Sequence, residues 1–138
     1  MSAKDIFHDA VRNALEKEGW RITHDPMFIS IGGVQVYIDL GADKIVEAER
    51  NGEKIAVEIK SFVGTSAISE FHKALGQYIT YRFALEEQES DRPLYLAVPL
   101  GKYKEFFELP LIQKIIQGCQ VNLIVYDPAK EEIIQWKK

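Results

Sequence analysis

The chain reads KIAVEIK at positions 54–60, and this segment determines which fold the sequence can take. Its apolar run predicts a β-strand, in which successive side chains point to opposite faces. Glu58 and Lys60 then share one face with Ala56, whereas Ile59 turns into the core. We therefore expect a strand of the central sheet that ends in an acidic and a basic side chain where apolar core would otherwise continue.

An acidic residue precedes this segment in the chain. Asp39 lies 19 residues before Glu58, after the apolar segment 36–38, and the three residues form the pattern D…ExK with Lys60. Two carboxylates can hold Mg²⁺ or Mn²⁺, hard cations that prefer oxygen ligands, and an adjacent ammonium group can orient or deprotonate an attacking water. The pattern favours a metal-dependent nuclease site, with Asp39 and Glu58 as metal ligands.

Two other interpretations of these residues stay open. Asn51-Gly52 is a strong signal for a two-residue hairpin turn, and counting outward from it places Lys60 near Asp43, which would make Asp43 a competing ligand. Alternatively, an acid and a lysine on one strand face can simply form a solvated strand end.

Composition limits the class of protein. A length of 138 residues predicts a single domain over 1–138, and the single cysteine excludes an internal disulfide framework. With no signal segment and no apolar stretch long enough to span a membrane, we expect a cytoplasmic protein with no membrane partner. The net charge of −4 argues against strong non-specific binding of nucleic acid by bulk electrostatics.

The order of predicted elements defines the fold class. Antiparallel hairpins are followed by strands joined through helices, which predicts an α/β (α+β) fold with a mixed central sheet flanked by helices. A helix that begins near Ser2 and ends at Gly19 comes first. The predicted strands are 27–31, 34–38, 44–50, 53–60, 94–98, 121–126 and 132–136, and the later helices are 66–87, 103–107 and 111–116.

Two helices carry further candidate residues. Gln77 and Tyr81 are i, i+4 neighbours on the long second helix, in line with Lys73, and could reach the metal site or simply form a solvated helix face. His8, on the first helix, is either a structural histidine or a residue that reaches the cleft, where a neutral imidazole could accept a proton.

Together these residues resemble the PD-(D/E)xK nuclease superfamily and its restriction-endonuclease-like fold. The resemblance rests on Asp39, Glu58-x-Lys60 and Gln77-x-x-x-Tyr81. It implies that Asp39 and Glu58 bind the metal, that Lys60 and Gln77 are catalytic, and that Tyr81 belongs to the helix motif. The acidic residue that many relatives carry on the first helix is replaced here by His8, and the proline expected before Asp39 is replaced by isoleucine.

A second resemblance covers almost the whole chain. The segments VYIDLGAD, KIAVEIKSF, FHKALGQYITYR, LYLAVP and LIVYDP are similar to the XisH family of cyanobacterial fdxN-element excision controlling factors. That similarity implies an accessory role in the programmed excision of a DNA element during heterocyst development, with DNA, a site-specific recombinase and an XisI-type companion as partners. A homo-oligomer or a partner could supply the basic surface that this acidic chain lacks.

Three functions are compatible with these resemblances. The first is an Mg²⁺-dependent endonuclease. The second is a binding module that keeps the nuclease fold but acts only through the companion, the recombinase or DNA. The third is a toxin-like nuclease held silent by its companion.

Overall fold

The computed structural model describes residues 5–44, 52–88 and 91–138, with the side chains of Asp43 and Lys44 excepted. Its strands are β1 Arg21–His24, β2 Met27–Ile31, β3 Val34–Ile38, β4 Leu40–Lys44, β5 Glu53–Ile59, β6 Leu94–Pro99, β7 Leu123–Asp127 and β8 Glu132–Lys137. Its helices are α1 His8–Lys17, α2 Ala67–Gln88, α3 Leu100–Lys102, which continues as a π-helical turn over Tyr103–Phe107, and α4 Pro110–Gly118.

Six strands form one mixed sheet in the order β1-β4-β5-β6-β7-β8. The central strands β5, β6 and β7 are parallel, and the outer pairs are antiparallel. Helices α2 to α4 make the connections between the parallel strands, as parallel pairing requires. The predicted mixed α/β fold is therefore confirmed.

Each face of the central sheet has its own hydrophobic core. On one face, Val57 and Ile59 of β5 pack with Val11 and Leu15 of α1. On the opposite face, Ala56 packs with residues of α2, α4 and the hairpin β2–β3. The alternation predicted for 54–60 is thus observed, and it directs Glu58 toward the face that α2 covers.

The hairpin β2–β3 forms a separate two-stranded sheet. Gly32 and Gly33 make its turn with φ of +57° and +83°, a backbone conformation that favours glycine. Alternate residues of the hairpin, including Met27 and Ile29, are buried in the core that α2 also enters. The hairpin therefore lies beside the central sheet and delivers Asp39 to it from the end of β3.

The register of β4 with β5 differs from the sequence prediction. Asp43 pairs with Lys54 and Lys44 pairs with Glu53, whereas a connection by a two-residue turn at Asn51-Gly52 would pair Glu53 with Arg50. Most of the segment between Lys44 and Glu53, including Asn51 and the predicted strand residues 45–50, lies outside the described residues. The consequence is that Asp43 is displaced from Lys60.

The predicted helix boundaries are mostly confirmed, with one shift at the first helix. Helix α1 begins at His8, and the Phe7 N–H donates to Asp5 Oδ1 (2.9 Å) just before it. Ser2, where the sequence predicts the start of this helix, lies outside the described residues. At α2, which begins at Ala67, the Ser69 N–H donates to Ser66 Oγ (3.3 Å) and caps the helix, and α4 begins at Pro110, one residue before its predicted start.

Tyr78 joins α2 to the sheet and provides a test of the fold. Its buried hydroxyl donates to the Leu94 carbonyl (2.9 Å) and accepts from the Asn122 N–H (3.0 Å). We expect Tyr78→Phe to lower the free energy of unfolding by about 1–3 kcal/mol, because it leaves a buried N–H without its acceptor. Urea unfolding measures the change. Tyr37→Phe, at an exposed tyrosine, is the control, and equal effects of the two substitutions would contradict this role of the Tyr78 hydroxyl.

Candidate active site

The observed register places Asp39 and Glu58 side by side. Leu40 pairs with Val57. Asp39 precedes Leu40 and Glu58 follows Val57, so these two acids occupy neighbouring positions at the carboxyl end of β5. Asp39 is held there by the backbone, because the Ile59 N–H donates to Asp39 Oδ2 (2.8 Å). The chain bends at Asp39 between β3 and β4, and this bend turns its carboxylate toward the end of β5.

Glu58 is a buried acid, with a side chain that is only 3 % exposed. Burial, then the hydrogen bond with the Asp39 carboxyl and the negative charge of that carboxyl, raise the pKa of Glu58 to about 9, against the opposing charge of Lys60. Without a cation, Glu58 is therefore protonated at neutral pH, since it is costly to ionise a buried acid beside a second carboxyl.

Three hydrogen bonds fix the backbone that carries Lys60. The Lys60 N–H donates to the Ala97 carbonyl of β6 (3.0 Å), and the Tyr126 hydroxyl of β7 donates to the Lys60 carbonyl (3.2 Å). One residue later, the Ser61 N–H donates to Asp5 Oδ2 (2.9 Å). Contacts from three different parts of the chain thus hold the base of the Lys60 side chain in position.

A cavity of about 130 Å³ brings the candidate residues together. Five residues that the sequence analysis selected line it: Asp39, Glu58, Lys60, Gln77 and Tyr81. The remaining lining residues are Asp5, Tyr37 and Ile59. The cleft lies at the carboxyl end of a central parallel strand, which is where ligands commonly bind in open α/β sheets.

Helix α2 supplies two polar groups to this cavity. Gln77 Oε1 is buried and has no hydrogen-bond partner among the described residues, which leaves an acceptor for a ligand or for the Lys60 ammonium. Burial, together with the nearby charges of Glu58 and Asp39, raises the pKa of Tyr81 to about 12. Its phenol therefore remains a hydrogen-bond donor at neutral pH.

Two of the additional candidates have other environments. His8 is buried, its Nε2 lies 2.7 Å from Asp25 Oδ1, and it is not among the described residues that line the cavity. Arg12 contacts the other oxygen of Asp25, so His8 belongs to an ion cluster that joins α1 to the segment before β2. Asp43 lies opposite Lys54, and its side chain is outside the described part of the structure.

Asp5 and Tyr37 line the cavity, but the sequence analysis did not select them. Tyr37 could have been found, because it precedes Asp39 by two residues and successive side chains of a strand alternate. Asp5 could not, since only the folded chain brings the segment before α1 next to Ser61.

The donor set is compatible with a magnesium ion. Asp39 and Glu58 offer carboxylate oxygens next to each other, and Gln77 adds an unused carbonyl oxygen. Within residues 5–44, 52–88 and 91–138, no group of three or more His, Cys, Asp or Glu side chains is arranged to hold a metal. Two carboxylates are sufficient for Mg²⁺, which usually keeps several of its waters.

The fold and cleft define a class of protein: a mixed α/β domain with paired carboxylates and a lysine at the end of a central strand. More specifically, the chain belongs to the XisH family, whose model, described as XisH protein, matches residues 1–134. None of the curated proteins matches it.

Two crystal structures of relatives are similar over nearly the whole chain. An XisH family protein from Nostoc punctiforme PCC 73102 is 52 % identical, with a TM-score of 0.88 over 97 % of this chain and 100 % of that one. A fdxN element excision controlling factor protein from Anabaena variabilis is 53 % identical, with a TM-score of 0.88 over 98 % and 100 %. Within the described ranges, no helix has the length and apolar character needed to cross a membrane.

Proposed function

We propose that this protein is a metal-dependent DNA endonuclease that nicks or cleaves DNA during the excision of a DNA element. The observation that carries the proposal is the convergence of Asp39, Glu58, Lys60 and Gln77 on one cavity. The role in excision is proposed from the relative in Anabaena variabilis, which is described as an excision controlling factor.

Four residues of the cavity would take part in phosphodiester hydrolysis. Asp39 and Glu58 would hold Mg²⁺ or Mn²⁺, which supplies charge neutralisation at the phosphate and lowers the pKa of water. Lys60 would orient the attacking water and contact the phosphate as an ammonium group, or remove the proton of the water as the uncharged amine. Gln77 Oε1, which has no hydrogen-bond partner among the described residues, would accept a hydrogen bond from the Lys60 ammonium and so fix the direction of that flexible side chain.

Partners are part of the same proposal. The net charge of −4 gives the isolated chain little attraction for DNA phosphates. A second copy of the chain, an XisI-type companion or a site-specific recombinase would then supply the basic surface along which DNA approaches the cleft.

Lys60→Ala tests the proposal directly. We expect it to lower Mg²⁺- or Mn²⁺-dependent cleavage of supercoiled, branched and single-stranded DNA by about 100-fold or more, because general acid–base groups contribute about 10²–10⁴-fold. Lys54→Ala is the matched control, since Lys54 lies on the same strand and the same face but at the end away from the cleft. Agarose gels of supercoiled plasmid measure nicking, with and without the companion.

The acidic charge favours one alternative, a nuclease-fold binding module without chemistry. If wild type cuts none of these substrates even with its companion, while Lys60→Ala still supports excision in cells, the endonuclease proposal fails and the binding module replaces it. If Lys54→Ala reduces cleavage as strongly as Lys60→Ala, Lys60 has no special role.

A further inference from the structure

An exposed pair of aromatic rings lies on the outer face of the hairpin β2–β3. Phe28 and Tyr37 are directly opposite each other in the ladder, and their ring centroids are 5.0 Å apart with planes inclined by 45°. Their side chains are 46 % and 39 % exposed, although their strand neighbours Met27 and Val36 are buried. The hairpin thus buries one face and presents two rings to solvent on the other.

Cross-strand contact alone would explain why the rings touch, since aromatic pairs stabilise hairpins. That contact does not explain why the two rings lie next to the cavity. Tyr37 lines the same cavity as Asp39, Glu58 and Lys60, two residues from the candidate metal ligand. The exposed aromatic surface is therefore continuous with the site at which a phosphate would be cut.

The charges around the cavity make this aromatic surface more important for binding DNA. Its described lining holds one cation, Lys60, against the acids Asp5, Asp39 and Glu58. Even with a divalent cation bound, such a lining attracts a polyanion weakly. Affinity for DNA must then come from another source, and stacking of a base on an aromatic ring contributes about 1–3 kcal/mol per base.

We propose that Phe28 and Tyr37 form a stacking platform for an unpaired nucleobase, which places the adjoining phosphate in the cavity. The inference rests on the proposed function for the identity of the polymer and names its substrate class. Bases in a duplex are stacked on each other and present only their edges, so they cannot lie on this platform. The preferred substrate is therefore DNA with unpaired nucleotides at the cut: single strands, flaps or branches.

The test measures binding without cleavage. Fluorescence anisotropy, with EDTA present, compares a labelled single-stranded oligothymidylate with a duplex of the same length. We expect Tyr37→Ala and Phe28→Ala each to weaken binding of the single strand about tenfold, and Tyr37→Phe to retain it, because the ring is kept. Phe83→Ala is the matched control, since Phe83 is 61 % exposed on α2 but lines a different cavity.

The outcomes separate this inference from the proposed function. Unchanged affinity in both alanine variants, or an equal loss in Phe83→Ala, overturns the platform even if wild type cleaves DNA. Weaker binding by both alanine variants, with Tyr37→Phe at the wild-type level, supports the platform even if no cleavage is ever detected. Circular dichroism of each variant establishes that the hairpin substitutions leave the fold intact. A loss of the same size with the duplex also overturns the inference, because a base-paired strand has no free base to stack.

Discussion

Glu58→Gln is expected to abolish metal-dependent cleavage while leaving the protein folded. Glutamine keeps the volume and one oxygen of the buried side chain but cannot carry the negative charge that offsets a divalent cation. Loss of about 3 kcal/mol of transition-state stabilisation corresponds to about a 100-fold lower rate, so cleavage should fall at least that far. Cutting of supercoiled plasmid in Mg²⁺ and in Mn²⁺ measures the loss.

The same variant has a readout that does not depend on activity. Mg²⁺ at about 10–100 times its dissociation constant should raise the stability of wild type by about 1–3 kcal/mol, because the cation binds only the folded chain. Glu58→Gln should show no such rise. Glu53→Gln is the matched control, since Glu53 is exposed at the start of the same strand. An equal thermal shift in wild type and Glu58→Gln would show that the cation binds elsewhere.

Much of this site follows from strand geometry that is local in sequence. Alternation along β5 places Glu58 and Lys60 on one face, and the structure confirms that this face is opposite Val57 and Ile59. The pattern D…ExK also identifies Asp39, whose position next to Glu58 the register then provides. Short-range rules suffice here because side-chain direction in a strand is set by the backbone itself.

Long-range arrangements could not be predicted in the same way. The turn signal at Asn51-Gly52 predicts the wrong register for β4 and β5, because a local turn signal does not by itself determine how the two strands pair. The contact of Asp5 with Ser61 joins positions 56 residues apart, and no local pattern encodes it. The separate hairpin β2–β3 depends on burial against the core of α2, which is again a tertiary effect.

His8 shows the same difference between local and long-range prediction. Helical spacing places His8 near the edge of the apolar stripe of the first helix, and in the structure it is buried. The hydrogen-bond partner of His8 could not be predicted, because Asp25 lies 17 residues further along the chain, in the turn before the hairpin. Burial could therefore be predicted from the sequence, whereas the partner of the buried group could not.

The stability of the metal-free protein is expected to fall as pH rises, and Glu58 is expected to cause the fall. Its pKa is about 9 in the folded chain and near 4.5 in the unfolded chain. Between these values the folded state binds more protons than the unfolded state, so the free energy of unfolding decreases with pH. The stabilising contribution is complete below the lower pKa and is lost as pH rises through the upper one.

The change in stability with pH is limited in size, because only one proton is involved. Linkage allows at most about 1.4 kcal/mol per pH unit, so between about pH 6 and about pH 8 wild type should lose up to about 3 kcal/mol more than Glu58→Gln. Urea unfolding in EDTA at several pH values measures both curves. The difference between the two proteins isolates Glu58, because every other titrating group is common to them. Parallel curves would mean that Glu58 ionises normally.

The same proton connects stability to metal binding. A divalent cation held by the two carboxyls would favour the ionised form of Glu58, so we expect its binding to release the proton of Glu58. Saturating Mg²⁺ should therefore remove most of the decline in stability between about pH 6 and about pH 8, and affinity for Mg²⁺ should increase across that interval. We therefore expect the burial of Glu58, which destabilises the cation-free site at high pH, to make the stability of the protein depend on a divalent cation.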